Sequence, residues 1–412
     1  MPSKPFEVKR DISLDFVGES YGSIYPNLHR YPATMIPQLG IEILNRLGLK
    51  SGSLLDPYCG SGSSFASAIH VGFDEIYGFD LNPLAVLISK AKFTRVSPRK
   101  LNTSLNSLND SLRRMRPTKI AARNVPHVTN LGYWFPKEAV PLLLSLKRRI
   151  DGIDDRDVRD LFLIAFSETI RDVSYTRKNE FKLYRIPADR LKSHKPDVLR
   201  IFGDHLKRIV DIYLTTYFPK LADVTTRILN KPFDSATKKV GVVLTSPPYG
   251  DSRTTVAYGQ FSTLTNEWLG IQDARKIDSR LMGGKRAAQL MEKSLISSEL
   301  VRGAATDRNR ALEVSSFYQD LGVSIAEIAK AVRPNGYSIY IVGNRRVKDV
   351  QLSTDQFIAE QFESVGLRHV ITYERLITNK SMPAVNSPSN KAGAVRGTMT
   401  QEFVVICQRV RN

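Results

Sequence analysis

One stretch narrows the fold more than any other. An apolar run over 52–56 reads as a buried strand and stops at Asp56-Pro57-Tyr58-Cys59-Gly60-Ser61-Gly62, where a helix over 63–71 begins. Gly72 ends that helix, and 75–80 reads as a second strand whose last residue is the acid Asp80, followed by a helix over 84–93. Strand, glycine turn, helix, strand with an acid at its tip is the opening of a doubly wound α/β sheet. Glycines at such a turn let the backbone pass close to a ligand with no Cβ in the way.

The rest of the chain arranges itself around that opening. Residues 1–28 read as an irregular lead-in, and 37–49 suits a short amphipathic helix. Between 100 and 225 the pattern is helical, with long helices over 138–150, 158–173 and 197–217 and no convincing strand. Strand character returns at 241–245, which runs into Ser246-Pro247-Pro248-Tyr249. The polar stretch 251–310 reads as loop with short helices, 311–332 as a strong helix, Pro334-Asn335-Gly336 as a turn and 337–342 as a strand. A terminal strand pair is expected over 370–376 and 403–407, flanking a Pro-, Ser- and Asn-rich loop at 381–397. The expected organisation is an α/β domain formed by 1–99 and 228–412, interrupted by a helical insertion over 100–227.

Two constellations carry chemistry. Asp56 puts negative charge at a helix N-terminus, where a pyrophosphate would otherwise sit. Such a site disfavours a dinucleotide and favours a cationic ligand, and S-adenosylmethionine carries both an ammonium and a sulfonium. Asp80 can accept both ribose hydroxyls of a bound nucleoside. The competing reading of Asp56 is a plain helix cap. At Ser246-Pro247-Pro248-Tyr249, two prolines fix φ and remove two N–H donors, so a strand tip becomes a rigid row of acceptors. An exocyclic amine has its lone pair delocalised into the ring, and bonds accepted from its hydrogens make it more nucleophilic. Ser246 Oγ and the Pro247 carbonyl are the expected acceptors. Tyr249 would stack on an extruded base, a contact worth about 1–3 kcal/mol. The bland alternative is a proline turn closing a strand.

The balance of 60 Lys and Arg against 41 Asp and Glu, a formal +19, favours a polyanionic partner. Cys59 and Cys407 are the only cysteines, which excludes a disulfide framework and a cysteine-based zinc site. The six histidines form no metal-ligand spacing, so no metal is expected. The N-terminus has no apolar signal region and no stretch reaches membrane-span length, so a soluble, cytoplasmic, nucleoid-associated prokaryotic protein is expected.

At this point the chain resembles the amino-methyltransferases that modify DNA at cytosine N4 or adenine N6. The resemblance covers roughly 29–95 and 228–345, and it implies a Rossmann-like sheet that binds S-adenosylmethionine. Asp56, Pro57, Tyr58, Gly60, Ser61 and Gly62 resemble the family's cofactor loop, and Asp80 with Leu81 its ribose-binding acid. Asp234 with Ser235 resembles the position against the adenine ring. His29-Arg30-Tyr31-Pro32-Ala33 resembles the segment that closes over the methionine part of the cofactor. Ser246–Tyr249 resembles the catalytic motif, and in this family Ser-Pro-Pro-Tyr mostly accompanies cytosine N4. The resemblance therefore implies a site-specific enzyme that flips a cytosine out of duplex DNA. Its context would be restriction-modification or epigenetic, with a cognate endonuclease as a candidate partner and a monomer or homodimer as the working form. The helical block sits differently from the family's usual separate recognition domain.

Two segments compete to touch DNA. In one, Arg177, Lys178, Lys182 and Arg185 interleave with Tyr175, Phe181 and Tyr184, as backbone contact and base stacking require. A solvated basic helix face is the plain alternative. The other segment is Asp251–Gly259 with the basic stretch beyond it (Arg275, Lys276, Arg280, Lys285 and Arg286), where Arg253 and Tyr258 directly follow the expected catalytic tyrosine. A cytosine-C5 enzyme is excluded, because neither cysteine follows a proline. Adenine N6 in DNA, guanine N2 in tRNA, and a catalytically silent nucleic-acid-binding module remain as rival readings.

Overall fold

The computed structural model describes residues 5–20, 22, 24–32, 34–114, 127–178, 182–234, 238–250, 257–347, 349–377 and 400–410, together with the backbone of 385–386 and 396–397. Its centre is an eight-stranded sheet. The strands are β1 (Val8–Arg10), β2 (Ser53–Asp56), β3 (Glu75–Phe79), β4 (Thr225–Leu229), β5 (Val240–Thr245), β6 (Val332–Val342), β7 (Leu367–Leu376) and β8 (Gln401–Arg409). Their spatial order is β1-β7-β8-β6-β5-β2-β3-β4. Strands β4, β3, β2, β5 and β6 run parallel, and β8 lies antiparallel between β6 and β7.

From β2 the chain winds outward through β3 and β4, then returns and winds the other way through β5 and β6. The reversal point lies between β2 and β5, the neighbours in the middle of the sheet. In open α/β sheets the crevice beyond the carboxyl ends of such a pair is where ligands bind. Both strands suit the position: every residue of β2 is buried, and five of the six in β5 are, as strands covered on both faces require.

The principal helices are α1 (Pro37–Arg46), α2 (Ser63–Val71), α3 (Pro83–Phe93), α4 (Pro98–Arg113), α5 (Ala139–Asp151), α6 (Arg156–Val173), α7 (Val198–Ile212), α8 (Tyr258–Trp268), α9 (Ser297–Thr306), α10 (Arg308–Ala331) and α11 (Thr354–Ser364). One apolar core joins α1, α2 and the first face of the sheet to the helical block, with Leu39, Leu54 and Phe65 in the same cluster as Leu143, Phe162 and Phe202. The opposite face packs on α10 and α11 through Phe317, Leu321, Ile325, Phe357 and Phe362.

The expected α/β sheet with a helical insertion is what folds, with several departures from the expected elements. The edge strand β4 opens on Thr225-Thr226-Arg227, buries only Ile228 and pairs with β3 at the sheet edge, so it lacks the continuous apolar run that marks a central strand. Helix α8 is built from Ser, Thr and Asn, and no side chain of its own caps its start. Asp278 supplies the cap from outside: its carboxylate accepts from the backbone N of Gly259 at 2.8 Å and of Gln260 at 3.1 Å. A Cβ on Gly259 would meet that carboxylate at 2.7 Å, so the glycine makes room for the cap. The run from Tyr175 to Arg185 is not a helix face; Thr176 and Arg185 form an antiparallel bridge, making a short finger between α6 and α7. Strand β6 begins at Val332, so Pro334–Gly336 interrupt the register with β5 rather than precede the strand. Helix α11 and strand β1 complete the layers without having been expected. Among the described residues no helix is long and apolar enough to cross a membrane, and no cluster could hold a metal ion.

Candidate active site

A cavity of about 610 Å³ opens beyond the carboxyl ends of β2, β3 and β5. The loop Asp56–Ser61 forms its floor, and Asp80, Leu81 and Asn82 form one wall. Lys231, Pro232 and Phe233 stand beside them, while Ser246 and Pro248 face them from β5. Tyr31 and Tyr258 close one side, and α10 with the segment Ser279–Lys285 closes another.

The floor is preorganised by its glycines and its acids. Gly62 enters α2 with φ +83°, and a Cβ there would lie 2.5 Å from the Phe93 ring, so only glycine serves. The backbone N of Gly60 donates to Asp80 Oδ2 at 2.9 Å, and the N of Asn82 donates to Oδ1 at 2.7 Å. The carboxylate of Asp80 is thus fixed by the loop and by its own strand tip, with lone pairs left toward the cavity. Burial pushes its pKa up to about 6, although those backbone donors pull it down.

Asp56 is placed differently. It lines the cavity, but its oxygens already accept from the Tyr58 backbone N at 3.0 Å, from Thr245 Oγ1 at 2.5 Å and from the Ser64 hydroxyl. Burial raises it to about 6 against those three donors. It therefore ties β2, β5 and the first turn of α2 together. Beneath the loop, buried Lys92 donates to the Ser61 carbonyl at 3.0 Å, and burial lowers its pKa to about 7.

Tyr31 is held at the cavity edge by a bond from Asn82 Nδ2 to its hydroxyl at 3.1 Å and by a stack on Tyr258 with ring centroids 5.9 Å apart. Asn82 also caps α3, accepting from the Leu84 N at 3.2 Å. Asn-Pro ahead of a helix is a start signal, and it would have pointed to Asn82. Behind this edge, Glu168 of α6 accepts from the backbone N of Arg30 at 2.7 Å and from its Nε at 2.5 Å. His29 lies against the same carboxylate at 3.4 Å, and burial lowers its pKa to about 4, leaving it neutral. Pro32 is buried behind Tyr31, and Ala33 lies outside the described residues.

Phe233, edge-on to Phe79 at 5.2 Å, lines the cavity where Asp234 was expected. Asp234 is exposed and pairs with Lys231 at 2.5 Å; Ser235 lies outside the described residues. The apolar residue next to the acid was the missed signal.

At the tip of β5, Ser246 is half-buried and lines the cavity together with Pro248, and Pro247 is buried. Tyr249 is half-buried and turns its hydroxyl toward β8. Ser246 Oγ donates to the Tyr249 hydroxyl at 3.2 Å, and that hydroxyl donates to Glu402 Oε1 at 2.9 Å. Glu402 is in turn bonded by Arg375 Nε at 2.9 Å. Burial, with the Glu402 carboxylate beside it, pushes the Tyr249 phenol well above its usual pKa. No motif in the sequence marks Glu402 or Arg375.

The two segments expected to touch DNA meet in space. Leu183 N donates to Gln260 Oε1 of α8 at 3.4 Å, which lays the finger against the helix that begins with Tyr258. Arg177, Lys178 and Tyr184 are exposed on it, and Lys182 is half-buried. Arg185 is not exposed: its guanidinium sits over the Tyr133 ring at 4.1 Å and the Tyr175 ring at 5.2 Å. Arg253 and Phe181 lie outside the described residues.

The chain is 36% identical over 431 aligned positions to the Type II methyltransferase M.MvaI from Kocuria varians, covering 97% of this chain and 94% of that protein. A shorter match, 28% identical over 101 positions, relates 24% of the chain to 19% of the Type II methyltransferase M.MjaII from Methanocaldococcus jannaschii. Among solved structures, the rRNA methyltransferase aviRa from Streptomyces viridochromogenes overlaps 92% of this chain and 87% of its own at 11% identity and a TM-score of 0.32. A superposition that loose bears on neither fold nor substrate. No family model matches the chain.

Proposed function

The chain belongs to the Type II DNA methyltransferase family, and on that premise we propose that it methylates the N4 amine of cytosine at a specific site in duplex DNA. The observation that carries the reading is Ser246: the residue is half-buried and lines the cavity, not a sealed core, at the tip of the strand beside the Asp56–Gly62 loop.

We assign S-adenosylmethionine as the methyl donor, and the residues present suit it. The cavity volume is in the range of cofactor sites. Asp80 offers acceptors for ribose hydroxyls, Leu81 and Phe233 offer apolar surface for an adenine ring, and the acids Asp56 and Asp80 favour a cationic ligand. Tyr31, from the segment clamped by Glu168, covers the methionine side, and Pro57, Tyr58, Gly60 and Ser61 supply the floor. Asp234, exposed and paired with Lys231, would act only around the outside of this wall. When bound, the cofactor supplies an electrophilic methyl on its sulfonium sulfur.

Ser246 Oγ and the Pro247 carbonyl accept hydrogen bonds from the two amine hydrogens of an extruded cytosine, and Pro248 packs against the base. Tyr249 gives the base a stacking surface, which offsets part of the few kcal/mol that extrusion costs. The cytosine N4 lone pair would then form the new N–C bond as the methyl–sulfur bond breaks, leaving a neutral thioether, and the amine would shed one proton to water. Residues 1–99 and 228–412 carry this chemistry. Within 100–227, Arg177, Lys178 and Lys182 of the finger meet the DNA backbone and Arg185 braces the finger from within, while Tyr258 stands on the cavity side.

The test is transfer of labelled methyl from S-adenosylmethionine to duplex DNA, followed by nucleoside analysis. N4-methylcytosine is expected. N6-methyladenine would overturn the base assignment, and label confined to tRNA would overturn the DNA reading.

A further inference from the structure

A serine hydroxyl is both a donor and an acceptor, and only one of those properties helps an amine to react. If the Ser246 proton pointed into the cavity, it would compete with the amine hydrogens for the oxygen's outward face and oppose the amine. Something must hold that proton away. In this protein the groups behind Ser246 form a chain whose polarity is set from its far end.

Glu402 and Arg375 are directly opposed across the β8–β7 pair. Both are buried, and Arg375 Nε donates to Glu402 Oε2 at 2.9 Å while its Nη1 donates to the Leu14 carbonyl at 2.7 Å. A carboxylate paired with a guanidinium can only accept. The Tyr249 hydroxyl, 2.9 Å from Glu402 Oε1, must therefore donate to it. Its one proton is then spent, so toward Ser246, 3.2 Å away, the phenol oxygen can only accept, and Ser246 donates to it. The Ser246 oxygen is left with lone pairs alone on its cavity side.

We propose that Glu402, anchored by Arg375, is a positioning residue that fixes the direction of the Ser246–Tyr249 hydrogen bond and so keeps Ser246 an acceptor for the target amine. The inference rests on Ser246 being that acceptor. It assigns the terminal strand pair a part in the chemistry, beyond closing the sheet, and gives the Tyr249 hydroxyl a task distinct from stacking.

Two variants break the chain at different links. Tyr249→Phe keeps the ring and the Glu402–Arg375 pair but removes the hydroxyl that takes the Ser246 proton. In Glu402→Gln, the amide oxygen is drawn to Arg375 and the NH2 group is presented to Tyr249. The phenol is then turned to donate to Ser246, whose proton swings toward the cavity. Each variant is expected to lower kcat about tenfold, the effect of one misdirected hydrogen bond, with KM for DNA and for S-adenosylmethionine within about twofold. In a Ser246→Ala background neither should slow the enzyme further, because the relay acts only through that oxygen. Tyr249→Phe leaves the buried ion pair whole, so its result stands even if Glu402→Gln folds poorly. Ser246→Ala slow but Tyr249→Phe at the parental rate would overturn the relay and leave the acceptor reading intact. Ser246→Ala at the parental rate would overturn that reading and the relay with it. A loss from Tyr249→Phe that persists in the Ser246→Ala background would assign the effect to stacking and overturn the relay.

Discussion

Asp56 and Asp80 looked alike in the sequence, each an acid at a strand tip, yet their surroundings give them different work. Asp56 has its oxygens occupied by its neighbours Tyr58 and Ser64 and by Thr245, a partner distant in sequence that only the fold brings in. Asp80 is held by two backbone N–H groups and keeps lone pairs toward the cavity. Its pKa, raised by burial to about 6 from an ordinary value of 3.8, carries a prediction. Above pH 6 the carboxylate is ionised and can accept both ribose hydroxyls; below it a proton occupies one oxygen. Without ligand the sign for stability is the reverse: the folded state binds the extra proton between pH 3.8 and 6, so this residue costs stability as the pH rises through that window. Calorimetric titration between pH 5 and 8 should show S-adenosylmethionine binding weaken below pH 6, by up to about tenfold per pH unit for the one group. Asp80→Asn should bind weakly at pH 8 and lose most of that dependence, leaving the part due to Asp56. Affinity independent of pH in the parent protein would remove Asp80 from the ribose site.

Among the elements, those flanked by glycine turns and built from apolar runs were readable: β2, α2, β3 and β5 follow the expected bounds within a residue or two. What escaped was every element whose start or edge depends on a distant partner. Helix α8 needs Asp278 to cap it, β4 needs β3 beside it, and the finger needs the Tyr133 and Tyr175 rings around Arg185. That last arrangement separates two kinds of basic residue that the sequence had placed in one run. Arg177 and Lys178 are exposed and able to meet phosphates, whereas Arg185 braces the finger. Replacing Arg177 and Lys178 together with Ala should therefore reduce the salt slope of DNA affinity by about 1–2, at about 0.9 per phosphate contact. Arg185→Ala should instead release the finger, seen as faster amide exchange over 174–186 with the salt slope lowered as a consequence. A parental slope in the Arg177 and Lys178 double variant would make the finger a bystander to DNA.

On the scale of the whole molecule, the helical stretch ahead of β4 is continuous in sequence, and its packing ties it to the elements that line the cavity. It shares one apolar core with α1, α2 and the sheet, and its Glu168 anchors the segment that brings Tyr31 to the cavity. Arg171 lies 4.0 Å above the Phe261 ring, and Phe261 stands edge-on to both Tyr31 and His29. The block, the N-terminal segment and α8 thus converge behind the cavity wall that carries Tyr31. No local pattern could show this, since the partners come from three distant stretches of chain. The Glu168 carboxylate, pushed up by burial but brought below its ordinary value by the charge and backbone N–H of Arg30, is ionised at neutral pH and holds the junction through charge-assisted bonds. Glu168→Gln removes the charge and offers an NH2 group where a second acceptor stood, so a loss of about 1–3 kcal/mol is expected. Because the junction carries Tyr31, the same variant should weaken S-adenosylmethionine binding, and thermal unfolding should remain a single transition shifted to lower temperature. Two separate transitions, or a lowered melting point with parental cofactor affinity, would mean that the block stands apart from the cofactor wall.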